Sequence, residues 1–298
     1  MTQELCFLLV DEFSEIGGAE RILLSIAESL KNSGHSVFSV VPGDGSFTTL
    51  LQQLGVQVSF VDILGLKGNW LSASKWGEIN CQFDMLLDQV RPDVILANSL
   101  WAAFTISHSA KKHQCRIVCC VHASIEPKST LKKIAFPIIR KKLFKPISRW
   151  VTVSDNLAEQ LFRMGVKREL LEVIPNGVDT DLFRPRTPHK EVRIALPFPE
   201  NWHIVGTVGR LHPGKGQQVF LKAASIVVQK HPQTCFVIAG KEIVTPSENI
   251  HFRESLLELT ARLNLTQNVY FAGFHTEVHH LMNCFNSFVS ASFEESFG

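Results

Sequence analysis

Short apolar runs alternate with helix-period segments from one end of the chain to the other, joined by loops of a few residues. That rhythm leaves few options. Strands joined through a helix lie parallel, and a parallel sheet needs helices on both faces. The first half reads as strands at Leu5 to Val10, Val37 to Val41, Val56 to Val61, Val94 to Ala97, Arg116 to Val121, Trp150 to Ser154 and Leu171 to Ile174. Helical spacing falls between them: Ile22, Leu23, Ile26, Ala27 and Leu30, then residues 47–54, 76–90, 100–113 and 156–164, the last capped by Asp155. Pro92 ends the third of these, because the residue before a proline avoids the α region. The second half repeats the pattern with strands at Ile204 to Val208, Thr234 to Ala239, Val269 to Phe274 and Phe288 to Ser292, and helices over 217–228, 255–263 and 277–285. Between the halves, Arg184 to Asn201 contains Pro185, Pro188, Pro197 and Pro199 and no clean period, so it reads as a linker. The expected fold is α/β: two doubly wound, Rossmann-like domains at 1–184 and 203–298, joined by 185–202. The 298 residues give each domain enough chain to bury a core.

Composition removes several function classes. A formal charge of +2 is too small to argue for nucleic acid, and no apolar run approaches the length of a membrane span. Met1-Thr2-Gln3-Glu4 leads straight into a strand and does not read as a signal peptide. The seven cysteines are scattered and contain no CxxC pair. Cys6, Cys119 and Cys235 fall in strand-like runs, where a thiol packs as a small hydrophobe, so a reducing cytoplasmic location is expected. Lys128 to Arg149 is strongly basic, holds no acid, and is interleaved with Ile134, Phe136, Ile138, Ile139, Leu143 and Phe144. Such a segment suits peripheral contact with an anionic membrane or a solvated basic helix face, and Pro137 and Pro146 interrupt any long helix there.

Ligands of doubly wound sheets bind beyond the carboxyl ends of the strands. Three such ends carry chemistry. After Val208 the chain runs Gly209-Arg210-Leu211-His212-Pro213-Gly214-Lys215-Gly216 into a helix. The helix end offers free N–H groups, Arg210 a planar fork, Lys215 a point charge, and the glycines close backbone approach, which together suit a phosphate. An ordinary βα turn with two solvated cations fits the same residues. After Val10 comes Gly17-Gly18-Ala19-Glu20, a second glycine turn into a helix. Neither turn has GxGxxG spacing, which argues against a dinucleotide cofactor. After Val121 stands His122, one of twelve histidines, placed by its position at a strand exit.

The pattern Gly209-Arg210-Leu211-x-x-x-Lys215-Gly216 resembles the donor-phosphate motif of the family-4 glycosyltransferases of GT-B fold. Gly17-Gly18-Ala19-Glu20 resembles the GGAE segment that opens that family, Ile174-Pro175-Asn176-Gly177-Val178-Asp179 resembles its IPNGVD segment, and the strand into His122 is similar to one whose histidine faces the donor sugar. Glu295-Ser296-Phe297-Gly298 resembles the start of the Glu-x7-Glu motif, whose second glutamate falls beyond Gly298, so the sequence reads as truncated within the second domain. The resemblance implies two facing domains and a retaining, metal-independent transfer from a UDP- or GDP-linked sugar to a glycan, lipid-linked or small-molecule acceptor. The nucleotide sugar is then a co-substrate, and no separate cofactor is implied. Its implied catalytic residues are His122, Arg210, Lys215 and Glu295. Its implied donor-binding residues are Gly17, Gly18, Gly209, Arg210, Lys215, Glu295, Phe297 and Gly298. Asp179-Thr180-Asp181 is formally a DxD, which holds a metal in a different glycosyltransferase class. Its Asn-Gly-Val-Asp context reads as a turn and cap, and no metal ligand is assigned. An inert fragment and a GT-B nucleotide-sugar epimerase are the alternatives.

Overall fold

A computed structural model describes residues 3–68, 72–124, 144–188, 190–242, 251–293 and 295. The chain divides into two units, Met1–Gly177 and Val178–Glu295. The first is built on a seven-stranded sheet: β1 (Cys6–Val10), β2 (Ser36–Val41), β3 (Gln57–Phe60), β4 (Val94–Ala97), β5 (Arg116–Val121), β6 (Ile147–Thr152) and β7 (Leu171–Val173). Their order is β3-β2-β1-β4-β5-β6-β7, with every neighbouring pair parallel. The direction of winding reverses between β1 and β4, where Val10 lies opposite Ala97.

The core follows from strand composition. Leu8, Val10, Ile95, Ala97, Ile117 and Cys119 are fully buried on one face, against Phe83 and Leu87 of helix Ala73–Val90 and Ile106 of helix Leu100–Lys112. On the other face Leu9, Val41, Phe47, Leu51, Leu23 and Ala27 form a second cluster under helices Gly18–Asn32 and Ser46–Gln53. Strands covered on both faces need continuous apolar sequence, which is what β1 supplies. Trp150 of β6 is 1% exposed and meets the Phe144 ring edge-on at 4.8 Å.

The second unit carries β8 (His203–Val208), β9 (Thr234–Ala239), β10 (Val269–Gly273) and β11 (Ser287–Phe288), in the order β10-β9-β8-β11 and again parallel throughout. Here winding reverses between β8 and β11. Helices Gln217–Lys230 and Phe252–Arg262 cover one face through Phe220, Leu221, Ala224 and Leu256. The stretch 185–202 contains a short helix, Lys190–Ala195, and Leu196, Phe198 and Trp202 pack on the other face with Cys235, Val237 and Leu281.

Local differences from the sequence reading have simple causes. Helix Asp155–Arg163 includes Asp155 in its first turn, and Ser154 occupies the N-cap position. β11 ends after two residues rather than continuing to Ser292; beyond it the chain turns its hydrogen bonding to the loop after β8, where the Phe293 N–H donates to the Gly214 carbonyl. The seven cysteines are all free, with Cys119 and Cys235 buried. Among the described residues, no helix is long and apolar enough to cross a membrane. Of the basic stretch, residues 125–143 lie outside the described residues.

Candidate active site

Each unit presents polar chemistry at its own winding reversal. In the first, the chain leaves β1 at Asp11 and β4 at Asn98. The strands hold these two together: the Asn98 N–H donates to the Val10 carbonyl at 2.9 Å, and the Asp11 N–H donates to Val40 at 3.0 Å. The Asn98 amide Nδ2 then donates to Asp11 Oδ2 at 2.6 Å. His122, just past β5, places Nε2 2.8 Å from Asn98 Oδ1. A continuous chain Asp11–Asn98–His122 therefore crosses the ends of β1, β4 and β5.

This chain is shielded from water. Asp11 is 2% exposed and Asn98 4%. Burial, with the charge of nearby Glu20 and to a smaller extent Glu12, outweighs hydrogen bonds from the Phe13 N–H and Asn98 and pushes the Asp11 carboxyl up to about 8. Burial also lowers the pKa of His122, so its imidazole is neutral near pH 7. A neutral imidazole that donates from Nε2 to the Asn98 carbonyl keeps Nδ1 as an acceptor, and His122 Nδ1 is buried with no hydrogen-bond partner. Gly17 and Gly18 stand at the start of helix Gly18–Asn32 in the same unit, with Glu20 buried in its first turn. Nothing stands within 4 Å of a Cβ added at Gly18.

In the second unit, the loop after β8 is shaped by its glycines. Gly216 has φ +68, and a Cβ there would lie 1.9 Å from the Ala291 carbonyl oxygen. Gly240, at φ +146, would put a Cβ 1.9 Å from the Gly209 carbonyl oxygen. The Phe293 N–H donates to the Gly214 carbonyl at 3.0 Å, tying the loop to the segment that follows β11. Through that seam Lys215 Nζ reaches Glu295 Oε1 at 2.6 Å. Burial pushes the Glu295 carboxyl up, but hydrogen bonds from Lys215 and Ser292 together with the Lys215 charge leave it below its ordinary value. Gln217, 3% exposed at the helix start, donates from Nε2 to the Arg210 carbonyl at 2.9 Å. That bond fixes the loop backbone, while the Arg210 side chain is exposed. His212 Nδ1 accepts from the Gly214 N–H at 3.0 Å, so this histidine holds the turn.

Residues 16–182, more than half the chain, match the family described as Glycosyltransferase Family 4, and residues 189–298 match Glycosyl transferases group 1. The chain belongs to the family-4 glycosyltransferases. Over 154 residues, 50% of its length, this family-4 chain is 29% identical to the D-inositol 3-phosphate glycosyltransferases of Mycobacterium bovis and Mycobacterium tuberculosis. It spans 30% of the length of these curated relatives. Among solved structures, Anabaena HepE in complex with UDP-glucose superposes with a TM-score of 0.80 at 23% identity, covering 99% of this chain and 76% of that one. Sucrose-phosphate synthase from Thermosynechococcus elongatus gives 0.75 at 16% identity, covering 98% and 76%. These likenesses establish the GT-B fold.

The fold brings Lys215 and Glu295 into contact across eighty residues of sequence, and places Gly209 and Arg210 in the same loop. His122 stands at the winding reversal of the first sheet, bonded to Asn98, and Gly17 and Gly18 stand at the start of helix Gly18–Asn32 in the same unit. Phe297 and Gly298 lie outside the described residues. Asp179 Oδ1 accepts from the Asp181 and Leu182 N–H groups at 2.9 and 3.0 Å, the turn-and-cap role expected of it. Sequence reasoning did not single out Asp11 or Asn98. The signal was present, since both are polar residues immediately after a buried parallel strand. It also passed over Glu277, His279 and His280, whose ligand atoms lie within 4.8 Å of one another. A cavity of about 660 Å³ lined by Lys190, Arg193, Trp202 and His203 opens at the amino end of β8, away from the Gly209–Gly216 loop.

Proposed function

We propose that the chain acts as a nucleotide-sugar-dependent glycosyltransferase, with the donor diphosphate held by the Gly209–Gly216 loop. The observation that carries this reading is the Lys215–Glu295 contact inside a loop closed by Gly216 and Gly240. Glu295 holds Lys215 at the loop while leaving Arg210 exposed for a ligand, and the helix start at Gln217 adds its dipole. The first unit differs. Glu12 and Glu20 are buried beside Asp11 at its winding reversal, a polar, acidic environment that suits hydroxyl groups.

In this reading the leaving diphosphate gains negative charge as the anomeric bond breaks. Arg210, Lys215 and the helix start stabilise that charge without reorganising, the role a metal plays in other transferases. His122, neutral and with Nδ1 unpartnered, forms a hydrogen bond with a sugar hydroxyl through that nitrogen. The family resemblance implies retention; with no carboxylate of the donor loop assigned as a covalent nucleophile, the retaining substitution we propose proceeds on one face, and the departing phosphate takes the acceptor proton. The acceptor class is a glycan, a lipid-linked acceptor or a small molecule. A relative in Anabaena is solved with UDP and glucose, which makes UDP-glucose the first donor to try.

The test is a donor screen with UDP- and GDP-linked sugars, following nucleoside diphosphate release with and without mixed acceptors. Acceptor-dependent release supports transfer. Conversion of the donor sugar without acceptor supports an epimerase instead. No turnover with any donor, together with no nucleotide binding, sinks both and leaves an inert fragment. Arg210→Ala is expected to lower kcat/KM by about 10- to 1000-fold.

A further inference from the structure

We propose that Asp11 and Asn98 are positioning residues that set which ring nitrogen of His122 carries the proton. The consequence for catalysis rests on the sugar-transfer reading above, but the tautomer itself does not.

The argument starts from the donor and acceptor inventory. Asn98 has one acceptor and two donors at its amide, and both of its termini are engaged, Nδ2 with Asp11 and Oδ1 with His122. An ionised Asp11 only accepts, so it takes Nδ2, which leaves Oδ1 for His122 and requires the His122 proton on Nε2. Nδ1 is then a bare acceptor, and it is the buried atom that has no partner. A protonated Asp11 can reverse every bond. Its O–H donates to Asn98 Oδ1, the amide turns over, Nδ2 donates to His122 Nε2, and the ring proton sits on Nδ1. The site gains one proton, on Asp11. His122 stays neutral in both arrangements, its proton exchanging from Nε2 to Nδ1, and no covalent bond between heavy atoms changes.

The surroundings decide when the change happens. The groups facing Asp11 are Glu20 from helix Gly18–Asn32, Glu12 and the Phe13 N–H from its own loop, Asn98 from β4 and, through Asn98, His122 from β5. The charged neighbours are carboxylates, and with burial they favour the protonated acid, which is why its titration lies near pH 8 and not near that of a free aspartate. Ionised Asp11 therefore presents a His122 that accepts from a substrate hydroxyl. Protonated Asp11 presents a His122 that donates to a substrate oxygen.

The experiment is two-bond proton–nitrogen correlation spectroscopy on the 298-residue chain labelled at histidine, with His122 assigned by loss of its signals in His122→Gln. Asp11→Asn removes the titrating proton and keeps a side chain of the same shape that can still pair with Asn98. Wild-type chain is expected to show the Nδ1–H pattern below about pH 8 and the Nε2–H pattern above it. Asp11→Asn, which has no proton to lose, and Asn98→Leu are each expected to lose the pH dependence. Should Asp11→Asn fail to fold, the wild-type titration decides alone. A His122 tautomer that is unchanged across pH 8 in the wild type, or a tautomer change that persists in Asp11→Asn, overturns the proposal. Absence of sugar transfer leaves this result untouched and sinks only the functional reading. Transfer with an invariant tautomer does the reverse.

Discussion

Gly216→Ala isolates the seam on which the proposed donor loop depends. Gly216 sits at φ +68, and its missing side chain is the space occupied by the Ala291 carbonyl, 1.9 Å from an ideal Cβ where ordinary contact begins near 3.4 Å. Two costs follow. Holding alanine in the left-handed region costs roughly 1–2 kcal/mol. Moving the backbone at Ala291 in a packed region costs about 1–3 kcal/mol more. Together the second unit should lose about 2–5 kcal/mol. The displacement also separates Gly214 from Phe293 and so Lys215 from Glu295, because those contacts bridge the same two segments. Hydrogen exchange of the β8 and β9 amides reports opening of this unit and gives the loss directly. Gly77→Ala is the companion measurement. It lies within helix Ala73–Val90 with nothing within 4 Å of its Cβ. Exchange on β1 should show no loss, or a gain of roughly 0.5–1 kcal/mol. If Gly216→Ala leaves β8 and β9 protection unchanged, the loop is not held against Ala291 and the reasoning fails.

Other expectations follow from single contacts. Lys215→Ala removes the hydrogen bond and charge through which Lys215 lowers Glu295 and leaves burial opposed only by the Ser292 hydrogen bond, so its carboxyl resonance should titrate at higher pH, and an unmoved titration would deny the pairing. The same pairing sets a sign: with its pKa depressed on folding, Glu295 contributes stability above the ordinary glutamate range that is lost as pH falls through the folded value. Asp11 has the opposite sign. Its pKa rises from 3.8 to about 8 on folding, so its contribution is present at low pH and lost as pH rises between those values, and Asp11→Asn should flatten that decline in urea titrations. Trp150→Ala opens a cavity at a side chain 1% exposed and should cost the first unit about 3–5 kcal/mol in equilibrium unfolding, where a loss under 1 kcal/mol would mean the site refills.

The strands were legible because a strand covered on both faces writes a continuous apolar run, as in Leu8-Leu9-Val10 and Cys235 to Ala239. The glycine loop after β8 was legible because three glycines between a strand and a helix mark a turn, and Gly216 needs a backbone conformation that side chains rarely adopt. Helix Lys190–Ala195 was not, since six residues between prolines cannot display a helical period, and Ile194 faces away while Leu196 is buried. Asp155 reads as a cap from composition alone, but Ser154 takes that position because its backbone is still extended while Asp155 already begins the helix. His122 could be picked out by its strand exit, yet its partners could not. Asp11 and Asn98 are 87 residues apart in sequence, and only the β1–β4 pairing brings them together. The Lys215–Glu295 contact is hidden in the same way, being made by the β8–β11 pairing.

The most direct measurement of the central claim is calorimetric titration of UDP and GDP into the wild-type chain and into Arg210→Ala. The expected result is binding of at least one nucleoside diphosphate by the wild type, weakened about 10- to 100-fold in Arg210→Ala by loss of a charge-assisted contact. Binding of equal strength in both proteins would place the diphosphate away from the Gly209–Gly216 loop and contradict the account.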